Sequence, residues 1–215
     1  MADNSPVEFE MRECTRPECG FRFPVGRDDP LGARCPRCGA AAHRHGIPFG
    51  AAVSPPKVAP PTVAVIHALL DNLRSAWNVG SIFRSADGAG LQHLYLCGTT
   101  PPPPHAGIHK TALGAEESVP WSYAPNALWQ ARNLQARGYR LWALEATLQA
   151  QSLFTARTEL PNAPLVLIVG NERSGVDPEI LALCERSVWI PMLGVKESLN
   201  VAIAFGIAAY TLRFG

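Results

Sequence analysis

The C-terminal part of the chain alternates short apolar runs with polar loops. Two of these runs, Leu165 to Val169 and Val188 to Met192, are rich in β-branched residues, and each is followed by a polar loop. Short apolar runs of this kind are typical of strands buried on both faces, so we predict two neighbouring parallel strands. Ligands of open α/β sheets bind outside the carboxyl ends of the strands, which makes the loops at residues 170–175 and 193–200 the predicted floor of a site.

The first of these loops, Gly170 to Gly175, does not match the common phosphate-binding loops. Val176 stands where a P-loop has lysine, and Glu172 occupies the place of the middle glycine of a dinucleotide-binding loop. A carboxylate there would repel phosphate, so we expect a ligand that is neutral or cationic near Glu172. Taken alone, the two glycines would only turn the chain, and Glu172 would start the next helix.

Length and composition set the broad class. The chain has 215 residues, of which 47% are hydrophobic, and a formal net charge of +1, which fits one substantial core with a small appendage and gives no strong electrostatic sign of a nucleic-acid partner. The first residues lack an apolar signal segment, and the nearly apolar run from Leu199 to Leu212 is too short to span a bilayer. We therefore predict a cytoplasmic protein without a membrane segment.

Four of the six cysteines lie in the first forty residues, as the pairs Cys14 with Cys19 and Cys35 with Cys38. Two turns that each carry two thiolates supply the four ligands of tetrahedral zinc. Disulfides are the alternative, but nothing in the sequence points to an oxidising compartment. We predict a zinc ribbon over residues 1–49 that depends on the metal, because so short a segment has little core.

The zinc ribbon carries an excess of basic residues. Between Arg12 and His45 there are seven arginines and four acidic residues, with Phe21 and Phe23 among them. Such a surface could hold an RNA backbone and stack a base. A solvated surface over a small aromatic core explains the same residues, and the sequence leaves both interpretations open. The Pro-rich stretch at residues 50–62 is predicted to be a semi-rigid linker.

The remaining residues, 63–215, read as one domain of alternating strands and helices. The pattern predicts strands over residues 63–70, 93–98 and 139–145 and helices over residues 79–87 and 126–137. Asn78 is the predicted N-cap of the first helix, and a glycine, Gly88 or Gly90, ends it. The segment 99–117 contains four consecutive prolines and is predicted to be a long loop. We expect an α/β domain with a parallel sheet of five or six strands and helices on both faces.

Three polar segments of this domain carry motifs that resemble one family. Asn78 to Arg84 reads NVGSIFR and fits NxGxxxR, and Gly170 to Gly175 fits GxExxG. Ile190 to Met192 together with Ser198 to Ala202 fits the third signature of the SpoU (TrmH) branch of the SPOUT RNA methyltransferases. The resemblance covers residues 63–215 in the right order, and the zinc ribbon lies outside it.

The resemblance implies a fold, a cofactor and an assembly. It implies a C-terminal trefoil knot, which is a rare exception to the rule that chains do not thread loops. It implies S-adenosyl-L-methionine bound within the knot in contact with Gly170, Ile190 and Leu199. It also implies a homodimer, which suits the apolar character of residues 201–212, since that helix would be buried against the sheet and again across the dimer interface.

The reaction implied is methyl transfer to a ribose 2′-hydroxyl of transfer RNA or ribosomal RNA. The resemblance assigns catalytic roles to Arg84, which would lie nearest the hydroxyl, and to Asn78, Glu172, Ser198 and Asn200 around it. A guanidinium stays protonated in proteins, so either a substrate phosphate relays the proton or Arg84 orients the hydroxyl and stabilises the developing oxyanion. We favour the second role. A base methyltransferase of the same superfamily and a non-catalytic zinc-ribbon RNA-binding protein are the alternative functions.

Overall fold

The computed structural model describes residues 8–50, 56, 58 and 65–215. The chain divides into two compact units, of which the first ends at Val58 and the second begins at Ala59. Each unit has its own β-sheet. The predicted linker at residues 50–62 lies almost entirely outside the described residues.

The N-terminal unit is built on a three-stranded antiparallel sheet with the middle strand first in sequence. Its strands are β1 (Glu8–Cys14), β2 (Arg22–Gly26) and β3 (Ala42–Gly50), in the order β2-β1-β3. A 3-10 turn, Pro30–Ala33, lies between β2 and β3. The buried apolar side chains of its described residues are Cys14, Val25, Cys35 and Ala42. Burial of so few side chains gives little hydrophobic stabilisation.

Arginines of the N-terminal unit are partly neutralised by glutamates. Arg12 and Arg44 flank the buried carboxylate of Glu10, and Arg27 pairs with Glu8. Arg22 and Arg37 are exposed and make no ion pair or side-chain hydrogen bond with the residues that the structure describes. The free basic surface is therefore smaller than the number of arginines indicates.

The C-terminal unit contains a seven-stranded, wholly parallel sheet. Its strands are β4 (Ile66–Asp71), β5 (His93–Cys97), β6 (Trp121–Ala124), β7 (Arg140–Leu144), β8 (Gln151–Ser152), β9 (Leu165–Val169) and β10 (Arg186–Trp189). The strand order is β6-β5-β4-β9-β7-β10-β8. The predicted α/β class is confirmed, with seven strands in place of five or six.

Helices cover both faces of the parallel sheet, as predicted. They are α1 (Ala76–Ala89), α2 (Ala106–Ala112), α3 (Ala115–Ser118), α4 (Ala127–Ala136), α5 (Leu153–Ala156), α6 (Pro178–Leu181) and α7 (Val201–Phe214). Ala68 and Leu70 of β4 pack into one apolar cluster with α1 and α7, while Leu69 packs into a second cluster with α4 and α6. Among the described residues, no helix has both the length and the apolar character needed to cross a membrane.

The two apolar C-terminal strands are not neighbours, so that prediction is wrong. β7 lies between β9 and β10, because Trp142 of β7 pairs with Leu167 on one side and with Arg186 on the other. β10 also ends at Trp189, which places Ile190 to Met192 in the following loop. An apolar run shows that a strand is buried, but it does not show which strand lies beside it.

Helix α1 begins earlier than the sequence predicted. Ser75, and not Asn78, is its N-cap, and the Ser75 hydroxyl accepts a hydrogen bond from the Asn78 amide at 3.3 Å. Gly90, one of the two glycines predicted to end the helix, does so in the left-handed conformation. Asn78 therefore lies in the first turn of α1, where its side chain is free to bind another element.

The Pro-rich segment before β6 is not one long loop, because α2 and α3 lie within it. The prolines at residues 101–104 end just before α2, and the His105 imidazole then caps this helix. The Thr111 hydroxyl donates to the Trp77 carbonyl of α1 at 3.0 Å. A Cβ atom at Gly80 would lie 2.1 Å from the Thr111 Oγ1, so the glycine of NxGxxxR lets α2 approach α1.

Candidate active site

A cavity of about 550 Å³ opens at the carboxyl ends of β7, β9 and β10. Its walls include the loop at residues 170–175 and the segment from Ile190 to Asn200. Six of the eight residues predicted for cofactor binding and catalysis line it: Gly170, Ile190, Leu199, Glu172, Ser198 and Asn200. The two loops predicted from the sequence therefore meet at one site, although β7 separates their strands.

Asn171 and the glycines beside it shape the loop after β9. The amides and carbonyls of Asn171 and Gly175 bond to each other at 2.9 and 3.0 Å. The Asn171 Oδ1 also accepts from the amides of Arg173 and Ser174, at 2.9 and 3.3 Å. A Cβ atom at Gly170 would lie 2.2 Å from the Gly175 carbonyl carbon, so only glycine allows this closure.

The Glu172 carboxylate joins this loop to the start of α1. It accepts hydrogen bonds from the backbone amides of Arg74 at 2.9 Å and Ser75 at 3.1 Å, and from the Asn78 Nδ2 at 2.9 Å. Burial acts to raise the pKa of Glu172, but these donors outweigh it and hold the pKa below its ordinary value. Glu172 is therefore an ionised acceptor at the positive end of a helix.

Asn200 adds the third signature to the same network. Its Nδ2 donates to the Asn78 Oδ1 at 3.1 Å. Its Oδ1 accepts from the amides of Ala202 and Ile203, at 2.9 and 3.4 Å, and caps α7. An unbroken chain of side-chain hydrogen bonds thus runs from Asn200 through Asn78 to Glu172 and connects all three signature segments.

Arg84 does not take part in this network and is not part of the cavity lining described above. Six residues of α-helix turn the chain by about 240°, so Arg84 and Asn78 leave α1 in different directions. Arg84 is exposed and makes no ion pair or hydrogen bond within the described part of the chain. Asp87, one turn further along α1, does not pair with Arg84 and instead accepts a hydrogen bond from the Ser118 hydroxyl at 2.6 Å. The Arg84 guanidinium is thus available to another molecule.

Glu145 and Trp189 are among the cavity residues that the sequence did not predict as part of the site. Both line it, at the ends of β7 and β10. The Glu145 Oε2 accepts a hydrogen bond from the Val176 amide at 3.0 Å. Glu145 directly follows a buried apolar strand, which is a recognisable signal, but its place at the site depends on β7 lying between β9 and β10.

The four N-terminal cysteines converge on one point. Their sulfur atoms all lie within 4.8 Å of one another, with Cys14 and Cys38 at 3.5 Å and Cys19 and Cys35 at 3.9 Å. Tetrahedral zinc with bonds of about 2.3 Å places its sulfur ligands about 3.8 Å apart. The geometry and the donor set therefore fit a closed four-thiolate metal site.

The fold and the cavity define an α/β ligand-binding domain whose site lies at the carboxyl edge of a parallel sheet. The model of the SpoU rRNA Methylase family matches residues 65–210. The chain belongs to this family. The N-terminal unit lies outside the matched segment.

Two relatives named as RNA methyltransferases are similar to this chain in sequence. A tRNA (guanosine(18)-2′-O)-methyltransferase from Aquifex aeolicus (strain VF5) is 30% identical over 146 residues, which are 65% of this chain and 64% of the relative. A 23S rRNA (guanosine(2553)-2′-O)-methyltransferase from Bacillus subtilis (strain 168) is 32% identical over 146 residues, 67% of this chain and 56% of the relative. The chain thus spans between half and two thirds of the length of these relatives.

Solved structures share the fold. The AdoMet-bound rRNA methyltransferase from Sinorhizobium meliloti superposes with a TM-score of 0.64 at 29% identity, over 72% of this chain and 58% of that chain. The SpoU methyltransferase AviRb from Streptomyces viridochromogenes, in complex with AdoMet, superposes with a TM-score of 0.63 at 26% identity, over 72% of this chain and 60% of that chain.

Proposed function

We propose that this protein is an S-adenosyl-L-methionine-dependent RNA methyltransferase that methylates a ribose 2′-hydroxyl of transfer RNA or ribosomal RNA. The observation that carries the proposal is the hydrogen-bonded chain from Asn200 through Asn78 to Glu172, which joins the three signature segments around one cavity. Relatives named as guanosine 2′-O-methyltransferases and similar structures with AdoMet bound support it.

The cavity suits S-adenosyl-L-methionine in size and in chemistry. Its volume of about 550 Å³ lies in the range of small-molecule sites. We propose that Gly170, Ile190 and Leu199 contact the cofactor through backbone groups and apolar surface. The bound cofactor supplies a methyl group on a positively charged sulfonium, and the carboxylates of Glu145 and Glu172 favour a cation where they would repel a phosphate.

The polar residues around the cavity are proposed to position the reactants. Both carboxylate oxygens of Glu172 accept hydrogen bonds from Asn78 and from the two residues before α1, so this residue holds the site together and is not a proton carrier. Asn78 and Asn200 orient each other in the same way. Ser198 is exposed in the loop before α7 and is proposed to contact the substrate.

Arg84 is proposed to act on the cavity of a second copy of the chain. It is exposed and projects from a different side of α1 than Asn78 does. The neighbouring helix α7 presents Ile203, Tyr210 and Phe214 on one face, with exposed fractions of 56%, 47% and 55%. An exposed apolar face of this kind marks an interface, which supports the predicted homodimer. There a protonated Arg84 would orient the 2′-hydroxyl and stabilise the developing oxyanion.

Family membership supports a trefoil knot at the C-terminus. We propose that Cys14, Cys19, Cys35 and Cys38 hold a structural zinc ion, whose closed shell stabilises the N-terminal unit without taking part in catalysis. The proposed organisation is a zinc ribbon over residues 1–49, a linker over residues 50–62 and the methyltransferase domain over residues 63–215. We also propose a cytoplasmic location.

The Arg84→Ala variant tests the catalytic role. We expect it to bind S-adenosyl-L-methionine like the wild type in calorimetry and to lose methyl transfer to RNA by about 10²-fold or more. Arg132→Ala, on an exposed face of α4, is the matched control and should keep full activity. Retained transfer in the Arg84→Ala variant would refute its role.

A mixed dimer tests the action of Arg84 across the interface. An Arg84→Ala chain, which keeps its cavity, is co-expressed with a Leu199→Trp chain, whose cavity is filled but which keeps Arg84. In the mixed dimers the intact cavity of the first chain faces the intact Arg84 of the second. If Arg84 serves the partner's cavity, the mixture should recover about a quarter of wild-type activity, since half of the dimers are mixed and each has one complete site. If Arg84 serves its own cavity, the mixture should stay inactive.

A further inference from the structure

We infer that Glu145 binds the ribose hydroxyls of the adenosyl cofactor, an inference that rests on the proposed function. Glu145 is a half-buried carboxylate in the cavity wall, directly after the last residue of β7. It belongs to none of the three signatures in the sequence. Its role therefore has to follow from its position.

The Glu145 carboxylate is held in place from two sides. The Glu145 amide donates to the Val188 carbonyl of β10 at 3.0 Å, and the Glu145 Oε2 accepts from the Val176 amide at 3.0 Å. Gly175 makes room for it, because a Cβ atom there would lie 2.6 Å from the Oε2. The Oε1 has no hydrogen-bond partner within the described chain, so the cavity wall presents one fixed and free acceptor.

The other carboxylates of the cavity are less suited to hold a ligand. Glu172 already accepts three hydrogen bonds from the start of α1. Glu197 lies in the exposed segment after β10, and no hydrogen bond to the described residues fixes its side chain. Of these three groups, Glu145 combines a fixed position with a free oxygen.

The surroundings of Glu145 indicate a ribose as the group bound. β7 and β9 are hydrogen-bonded neighbours, so Glu145 follows one strand and the glycine-bounded loop at residues 170–175 follows the next. Dinucleotide-binding α/β folds also combine a glycine-rich turn with a nearby acidic residue, and that carboxylate accepts hydrogen bonds from the ribose hydroxyls. A fixed carboxylate beside a tight glycine loop can serve the adenosyl ribose in the same way.

Calorimetry of the full-length protein with two ligands tests the inference. The ligands are S-adenosylhomocysteine and its 2′-deoxyadenosyl analogue, which lacks one ribose hydroxyl. The wild type should bind the deoxy analogue about 10- to 100-fold more weakly, as expected for loss of a hydrogen bond to a charged group. Glu145→Ala should bind S-adenosylhomocysteine more weakly by a similar factor and should no longer distinguish the two ligands. Glu117→Ala, which removes an exposed carboxylate outside this cavity, is the matched control and should behave like the wild type.

The design separates the possible failures. If Glu145→Ala still prefers S-adenosylhomocysteine over the deoxy analogue by the wild-type factor, the ribose assignment is wrong. This holds whether or not the variant binds both ligands more weakly than the wild type does. Thermal unfolding without ligand shows whether each variant is folded, and Glu145→Gln keeps an oxygen that can accept from the Val176 amide if the alanine variant unfolds. If the wild type binds neither ligand, the proposed function itself is contradicted.

Discussion

Removal of the Glu172 carboxylate should destabilise the C-terminal unit as well as its site. Glu172→Ala leaves the amides of Arg74 and Ser75 and the amide group of Asn78 without their acceptor. These three hydrogen bonds are exposed to solvent, so water can bond to the freed donors and replace part of the lost stabilisation. With about 0.5–1 kcal/mol for each of the three bonds, the free energy of unfolding should fall by roughly 1.5–3 kcal/mol.

This loss can be measured in the intact protein. All five tryptophans lie in the C-terminal unit, so the change in their fluorescence during urea unfolding reports that unit alone. For a domain of this size, the expected loss corresponds to a fall in melting temperature of roughly 3–10 °C. Glu197→Ala removes another carboxylate of the same cavity, one that makes no hydrogen bond with the described residues, and it should unfold like the wild type.

The pH dependence gives an independent check. The folded-state pKa of Glu172 is lowered, so the carboxylate adds stability above its unfolded pKa and loses it as the pH falls through the lower folded pKa. Glu172→Gln should lack this part of the acid dependence. An unfolding free energy of Glu172→Ala within about 0.5 kcal/mol of the wild type would refute the account of the network.

Three further predictions concern other parts of the chain. Gly80→Ala should lower the free energy of unfolding by about 1–3 kcal/mol in the same urea assay, because its Cβ would lie 2.1 Å from the Thr111 Oγ1. An unchanged free energy of unfolding would show that α2 shifts freely. Burial, with the nearby charge of His93, lowers the pKa of His67 to about 4. The free energy of unfolding should therefore fall by up to about 1.4 kcal/mol per pH unit as the pH drops from about 6.5 towards 4. In His67→Gln, urea titrations should show a weaker dependence of the unfolding free energy on pH, and an equal dependence would contradict this. Removal of metal with a chelator, or the Cys38→Ser substitution, should make the N-terminal unit sensitive to proteolysis. The tryptophan fluorescence of the C-terminal unit should not change. An N-terminal unit that resists proteolysis without metal would refute the zinc proposal.

Local patterns were sufficient to predict several strands and helices, but not α2 and α3, and not which strands are neighbours in the sheet. The strand at Leu165 to Val169 and the end of α1 at Gly90 follow from nearby residues alone. The start of α1 cannot be predicted from nearby residues, because Ser75 and Asn78 are both good N-cap residues. Glu172, 94 residues beyond Asn78, engages the Asn78 side chain, and this distant partner is not visible in the local sequence.

Short motifs were sufficient to predict residues that come together in the structure. The prediction failed for residues whose place depends on the order of the strands. The cysteine spacing led to a cluster that the structure brings together. Glu145 was missed because β7 separates β9 from β10, an arrangement that neither apolar run encodes. The direction of Arg84 away from Asn78 follows from helix geometry, but the role proposed for Arg84 requires a second copy of the chain, which a single sequence does not show.

The central claim is that the cavity of this protein delivers a methyl group to a ribose hydroxyl of RNA. The most direct measurement is incubation of the purified protein with RNA and isotopically labelled S-adenosyl-L-methionine, followed by complete digestion to nucleosides and mass spectrometry. The label should appear in a 2′-O-methylated nucleoside and should be absent when the Arg84→Ala variant replaces the wild type. Label on a base, or RNA that binds the protein and stays unlabelled, would contradict it.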